Sequence, residues 1–386
     1  MEQVIKDFSL YIDYLVIAND VDPDYPYLHM YALQNKLSEE QECFLCFMFS
    51  IVDNATLTIE FYEKLGGWPV SNKMFREFCN WWSKNTKKFK YGKERLRNFG
   101  NTLKHLRLYL DEFTNTGQLH SFSQMFEQCK NSDLERYEFI SEYLSSIPYF
   151  GTLTKYDFLE LLQRSLSLPI IPTTLATVGA GCFGPMHATV VVLNAVDDDQ
   201  FGIYIRPPNK KSNEPVALKL LGYPTVDPTS GKNGYSMFLE EQSRYIRDSV
   251  AKVRVGCGND ASLIESCLCK YQKFLESRYY VGWEIDEQLG EIFDYHINFG
   301  NEFNIKRSLE LREQCFLTPF RHEARYGNDE ELMVGYRKIK PKHLYIHFKE
   351  VADGLFDDIL FSDDAVLKLM EEEPIRRYFI MDHCEK

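Results

Sequence analysis

Apolar residues recur at helical spacing along the first half of the chain. Val4, Phe8, Tyr11 and Leu15 predict an amphipathic helix, followed by a Pro/Asp/Tyr-rich connection, DVDPDYPYLHMY. Ser38, with Gln41 three residues on, has the pattern of a capping box and opens a helix through Cys43–Val52. Further helices are expected at Leu57–Leu65, stopped by Gly66-Gly67, and at Phe75–Trp82; a basic loop Lys84–Lys93 then leads into Glu94–Phe113. After Asn115-Thr116-Gly117 come Ser121–Gln128 and Ser132–Leu144, the second opened by the pair Ser132 and Glu135. Leu144 and Ile147 run into Pro148-Tyr149-Phe150-Gly151, and a new helix starts at Thr152, with Phe158, Leu161 and Leu162 on its apolar side. This reads as a helix, a tight hairpin and a helix. Proline stops the first helix, glycine permits the turn, and the leading N–H groups of the second point outward, where they can take a phosphate oxygen.

Beyond Pro169 the texture changes. Pro169–Thr174 is extended, Val178–Pro185 is glycine-rich, and Ala188–Val196 is an apolar run whose periodicity fits a buried helix or a strand, which Phe201–Arg206 can pair with across Asp197–Gln200. Residues 207–234 read as a long polar loop, and helices resume at Tyr235–Val250 and Asp260–Tyr279. From Glu350 onward the tail is acidic. The expected organisation is a mostly α catalytic domain over 1–290 with a C-terminal extension over 291–386.

Length and composition narrow the class. At 386 residues with 44% hydrophobic and 15% aromatic side chains, the chain can bury a large core. No run of about 18 uncharged apolar residues occurs, and acids interrupt the apolar part of the amino terminus, so neither a membrane span nor a signal peptide is expected. The ten cysteines are scattered, which suits reduced thiols in the cytoplasm. A net charge of −13 argues against a nucleic-acid partner, yet between Lys73 and Arg107 eleven Lys/Arg face only Glu77 and Glu94, a segment of +9. Trp81, Trp82, Phe89, Tyr91 and Phe99 are interleaved with it, as in surfaces that track a nucleic-acid backbone, although a solvated helix face has the same charge pattern.

The pattern Leu-x-x-Ile-Pro-x-Phe-Gly-x-x-Thr over Leu144–Thr154 resembles the hairpin of the helix-hairpin-helix DNA glycosylase superfamily. Phe47–Leu57 followed by Phe61–Leu65 is similar to that superfamily's early helix, which ends in a polar pair and a threonine. The resemblance implies a two-lobed helical fold that grips DNA and flips a base into a pocket between the lobes. Those glycosylases carry a lysine or similar residue just after the hairpin glycine and an aspartate some eighteen residues beyond; here the positions fall on Leu153 and on Ile171–Thr174, which cannot attack or stabilise a sugar carbon. Lys155 projects about 200° away from Leu153 and Asp157 within about 40° of it, so only Asp157 shares that face.

A narrower resemblance accounts for the departure. Phe47–Thr56, the hairpin, Val178–Gly184, and Glu265–Lys270 with Arg278-Tyr279-Tyr280 are similar to the viral α-glutamyl/putrescinyl thymine pyrophosphorylases, also termed amino acid:DNA transferases. The resemblance implies that an amine, putrescine or an amino acid, replaces a (pyro)phosphate on activated 5-hydroxymethyluracil in DNA. The expected partners are DNA carrying a modified pyrimidine and a small amine or amino acid, with no membrane. The chemistry requires no metal or organic cofactor, and the hairpin is also compatible with a bound cation.

The expected site follows from these patterns. DNA would be gripped by Tyr149, Phe150, Gly151, Thr152, Thr154 and Lys155, and by the basic residues Lys84, Lys87, Lys88, Lys90, Lys93, Arg95 and Arg97. Asn54, beside Asp53, matches the polar residue that fills the gap left by a flipped base, and asparagine also favours helix C-caps. Gly179, Gly181 and Gly184 can wrap a leaving phosphate; the same spacing fits a plain tight turn or, more weakly, a dinucleotide loop. Asp157 and Glu265 are the acid/base candidates, Glu265 being also placed to cap its helix with Ser262. Cys257, Cys267 and Cys269 lack zinc-finger spacing and read as buried thiols, and Arg321–Glu323 with Arg325-Tyr326 fit a phosphate contact or a polar corner. Two other functions share these features: a base-excision glycosylase using Asp157, and a non-catalytic DNA-binding module.

Overall fold

The computed structural model describes residues 12, 15, 19–89, 101–129, 133–148, 150–168, 170, 266, 267, 270, 282–299 and 302–316. Among them the only regular elements are helices, ten α-helices and one short 3-10 turn. The sequence expectation of a mostly α protein therefore holds.

The first described helix, α1 (Asp24–Gln34), occupies what the composition suggests is a connection. Pro23 is its N-cap and Pro26 lies in its first turn, where backbone N–H groups have no helical acceptor, so neither proline interrupts a hydrogen bond. Helix α2 (Glu39–Val52) starts with the expected capping box: Gln41 N–H donates to Ser38 Oγ at 3.3 Å and Ser38 N–H to Gln41 Oε1 at 2.9 Å. Every residue from Glu42 to Val52 is buried, which makes α2 the central rod. It stops at Asp53 in the left-handed region (φ 58°), and α3 (Ala55–Leu65) begins at once. Gly66 (φ 77°) ends α3 in a conformation that glycine adopts without strain.

Helix α4 (Asn72–Asn85) and the 3-10 turn Thr86–Lys88 cover part of the stretch read as a basic loop. Helices α5 (Thr102–Phe113), α6 (Gln118–Gln128), α7 (Asp133–Leu144) and α8 (Thr152–Leu166) follow. α6 begins three residues before the expected Ser121 because the Glu40 carboxylate of α2 accepts from Gln118 N–H and Leu119 N–H, each at 3.2 Å, and so caps it from across the core. After α9 (Trp283–Phe299) and α10 (Ile305–Cys315) the described chain ends at Phe316.

Around α2 pack α1, α3, α5, α6 and α8; α9 lies on α3, and α10 on α9 and α1. Phe47 of α2 stacks on Tyr109 (3.6 Å) and meets Phe150 and Phe158, each at 5.8 Å, tying the α7–α8 hairpin to the centre. α10 is fastened by Arg307, which ion-pairs with Glu60 and Glu63 of α3, and by Tyr27 Oη, which donates to Ser308 O at 3.0 Å. The expected domain boundary after residue 290 falls inside α9, and residues on both sides of it, to Phe316, belong to one hydrophobic core. Among the described residues, no helix is long and apolar enough to cross a membrane.

Burial raises the pKa values of Tyr25, Tyr27 and Tyr109 above the ordinary 10, and those of the Cys43, Cys46 and Cys315 thiols above the ordinary 9. The folded chain thus holds protons that the unfolded chain sheds. Stability is fully present below about pH 9 and falls above it, by up to about 1.4 kcal/mol per pH unit for each group titrating in the unfolded chain. Urea melts are expected to show a midpoint that declines steeply above about pH 10; a flat profile to about pH 11 would contradict this interior.

Candidate active site

From Tyr156 to Arg164 helix α8 is buried on all sides, and about half of that stretch is polar. Phe158, Leu159, Leu161 and Leu162 face the apolar core; opposite them Tyr156, Asp157, Glu160, Gln163 and Arg164 are only 4%, 1%, 2%, 2% and 3% exposed. An ordinary amphipathic helix sends such a face to water. Here it is covered, and burying charged groups is expensive enough that apolar side chains of the same volume are often as stable or more so. The polar face is therefore a functional candidate.

One described partner comes from α1, and two further parts of the chain bond to the segment just before it. Tyr25 Oη of α1 donates to Glu160 Oε2 at 2.8 Å across 135 positions. Burial first, then the Glu160 carboxylate, and then Asp22, Asp157 and Tyr156 push the Tyr25 phenol far above its ordinary value. It stays protonated, so it acts as donor and Glu160 as acceptor. Asp22 accepts from Ser266 Oγ at 2.7 Å. Lys270 Nζ donates to Asp20 O at 2.8 Å and to Glu284 Oε2 at 3.2 Å. Burial alone would lower the Lys270 value; Glu284, Asp20 and Asp22 outweigh it and hold the group as an ammonium. A charged Lys270 has no lone pair for nucleophilic attack, and its place is that of a fixed cation beside the carboxylates.

The network extends to the α2–α3 junction. Gln288 of α9 donates to Asp24 Oδ1 at 2.6 Å and accepts from Ala55 N–H at 2.7 Å. Asn54 Nδ2 donates to Glu291 Oε2 at 3.1 Å. Its Oδ1 accepts from Leu57 N–H and Thr56 Oγ1, both at 2.8 Å, so Asn54 is an N-cap of α3. The C-cap, which asparagine was also suited to, is its neighbour Asp53. Filling a gap in DNA would require Asn54 to leave these bonds.

Of the other expected residues, Asp157 lies on the polar face. Glu265 falls outside the described residues, one position before Ser266. Gly179, Gly181 and Gly184 also lie outside them, as do Tyr149, Lys90, Lys93, Arg95, Arg97, Cys257, Cys269 and residues 321–326. Lys84 and Lys87 are exposed at the end of α4 and in the 3-10 turn, to which Lys88 also belongs. Phe150 is buried against Phe47, Phe158 and His105, so its ring anchors the hairpin from inside. Thr154 is buried too, while Lys155 Nζ reaches back to Ser145 Oγ at 2.8 Å. Gly151 is exposed at φ −71° and ψ 174°, extended backbone open to any residue, so the turn itself does not demand glycine. Thr152 opens α8, whose first turn has no side-chain cap. Two aromatics of the basic segment differ from expectation: Trp82 and Phe89 are buried and stacked at 5.6 Å, and Phe61 packs on both, so these two serve the core and offer no platform for bases, while Tyr91 and Phe99 lie outside the described residues.

Sequence reasoning missed Tyr25, Glu160, Gln163, Arg164 and Lys270. The available signal was the i, i+3 and i, i+7 spacing of Glu160 and Arg164 from Asp157, which composition alone cannot tell from a solvated face.

Fold and site together define an all-α protein, in its described part, with an ionisable interior. The sequence supplies the family: residues 17–280 match the model for Amino acid:DNA transferase. The chain belongs to that family, whose description is of enzymes that transfer an amino acid to DNA. No curated protein and no solved structure matches the chain significantly.

Proposed function

We propose that the protein substitutes an amine for the phosphate or pyrophosphate of an activated 5-hydroxymethyl group on a thymine-derived base in DNA. The amine lone pair forms a bond to the exocyclic methylene carbon, the C–O bond breaks with its electrons leaving on the (pyro)phosphate, and the new amine loses one proton. The observation that carries this reading is the buried carboxylate pair Asp157 and Glu160 on α8, with Glu160 oriented by the Tyr25 phenol. A primary amine is protonated at neutral pH, and a water-excluded carboxylate supplies the base that frees its lone pair. Glu160 is that base in our reading; Asp157 and, one residue before Ser266, Glu265 complete the acid/base set.

The same helix supports a DNA role. The free N-terminal turn of α8 at Gly151–Thr152 is a place for a phosphate oxygen, and Glu160 lies eight residues further on, about 12 Å along the axis, a span that a nucleotide turned out of the duplex can bridge. The exposed Lys84 and Lys87, with Lys88, Lys90, Lys93, Arg95 and Arg97 of the basic segment, would add phosphate contacts, and Gly179, Gly181 and Gly184 a cradle for the leaving group. Gly151→Ala tests the hairpin. A Cβ there meets nothing within 4 Å, so the melting temperature is expected to stay within about 3 °C, while affinity for duplex DNA falls about tenfold. Fluorescence anisotropy would show it, and unchanged affinity would remove the hairpin from the DNA interface.

The reaction is tested by stoichiometry. With DNA carrying phosphorylated 5-hydroxymethyluracil and an amine donor, one (pyro)phosphate should be released for each amine incorporated. Release without incorporation would make the protein a hydrolase.

A further inference from the structure

Gln163 is the residue of the α8 polar face with two buried polar side-chain atoms that both lack a hydrogen-bond partner. It is 2% exposed, and neither Oε1 nor Nε2 has a partner. A buried amide with two donor protons and two lone pairs unmet is strongly disfavoured in a finished core, where leucine or methionine would fill the same volume. Tyr156, Glu160 and Gln163 stand at i, i+4 and i+7, so the amide lies on the same stripe as the Glu160 carboxylate, one turn beyond it. Tyr25 approaches this stripe from α1, with the Asp22 charge near its phenol.

We propose that Gln163 with Glu160 forms the subsite for the incoming amino acid and reads both of its charged ends. A zwitterion brings an ammonium, which has only donors, and a carboxylate, which has only acceptors. Glu160 and Gln163 Oε1 accept from the ammonium, while Gln163 Nε2 donates to the carboxylate. An amide, with separate donor and acceptor atoms, can serve both at once; a second carboxylate would repel the acid end, and a lysine or arginine would repel the amine end. The pairing distinguishes an amino acid from a simple diamine, which offers nothing for Gln163 Nε2. This assignment rests on the transferase reading for the role of the bound molecule, though not for its binding.

The test is equilibrium dialysis of the full chain against an equimolar mixture of the twenty amino acids and putrescine, with the retained molecules weighed by mass spectrometry. The wild type is expected to retain one or a few amino acids in preference to putrescine. Gln163→Leu should lower that retention by at least about tenfold, the scale of a lost hydrogen bond to a charged group, and Gln163→Met should do the same if the leucine variant fails to fold. Both variants should melt no lower than wild type, since each removes an unsatisfied buried amide. Retention unaffected by either substitution, preference for putrescine, or no retention by the wild type would overturn the proposal. If the wild type retains an amino acid through Gln163 and yet forms no modified nucleoside with DNA, the subsite stands and the reaction assigned above falls.

Discussion

Arg312→Met is expected to destabilise the protein by about 3–5 kcal/mol, a large part of the 5–15 kcal/mol typical of a folded domain. Arg312 and Asp286 are both 0% exposed, and the guanidinium Nε–Oδ1 and Nη2–Oδ2 contacts are 2.6 and 3.3 Å. The loss arises less from the missing attraction than from burying the Asp286 carboxylate without its guanidinium partner. Arg312→Met combined with Asp286→Leu should therefore recover most of the stability, because apolar side chains of similar volume replace the pair without stranding a charge. Urea denaturation of both single variants and the double variant checks this. A loss below about 1 kcal/mol in the single variants would mean that water reaches the pair. The consequence reaches the site, since α10 packs on α1, which carries Tyr25, and α9 carries Glu284 and Gln288 of the polar network.

The second large effect is on chemistry. Glu160→Gln keeps an acceptor for the Tyr25 phenol and the volume of the side chain, so the fold should be retained. It removes the carboxylate that would take the ammonium proton, and the rate of amine transfer is expected to fall about 10²–10⁴-fold at saturating DNA. Tyr25→Phe leaves the base in place without its orienting donor. A smaller loss, about tenfold in kcat with KM for DNA unchanged, identifies Tyr25 as a positioning residue. Equal rates for wild type and Glu160→Gln would pass the role of base to Asp157 or Glu265.

Local signals are legible in the sequence and distant ones are not. The Ser38/Gln41 box, the stop at Gly66 and the Pro148–Gly151 hairpin are written in residues a few positions apart, and the helices begin and end accordingly. Helix α1 escaped because its two prolines suggest a linker, while their position at a helix start makes them harmless. Phe150, Trp82 and Phe89 have the residue types of a nucleic-acid surface; which way they turn is decided by Phe47 and Phe61, which only the packed chain brings near. The site shows the same division. Turn counting from Leu153 reached Asp157, but Tyr25 meets Glu160 across 135 positions and Lys270 meets Asp20 across 250, pairings that no periodicity carries.

The central claim is that a carbon–nitrogen bond is made on a base that stays in the DNA. It is tested most directly by digesting DNA that carried phosphorylated 5-hydroxymethyluracil, after incubation with the protein and a mixture of amino acids and putrescine, and weighing the nucleosides. The account predicts a new nucleoside equal in mass to thymidine with one hydrogen replaced by the amine, and no loss of bases from the strand. Free base with abasic sites, or DNA returned unchanged while bound to the protein, would contradict it.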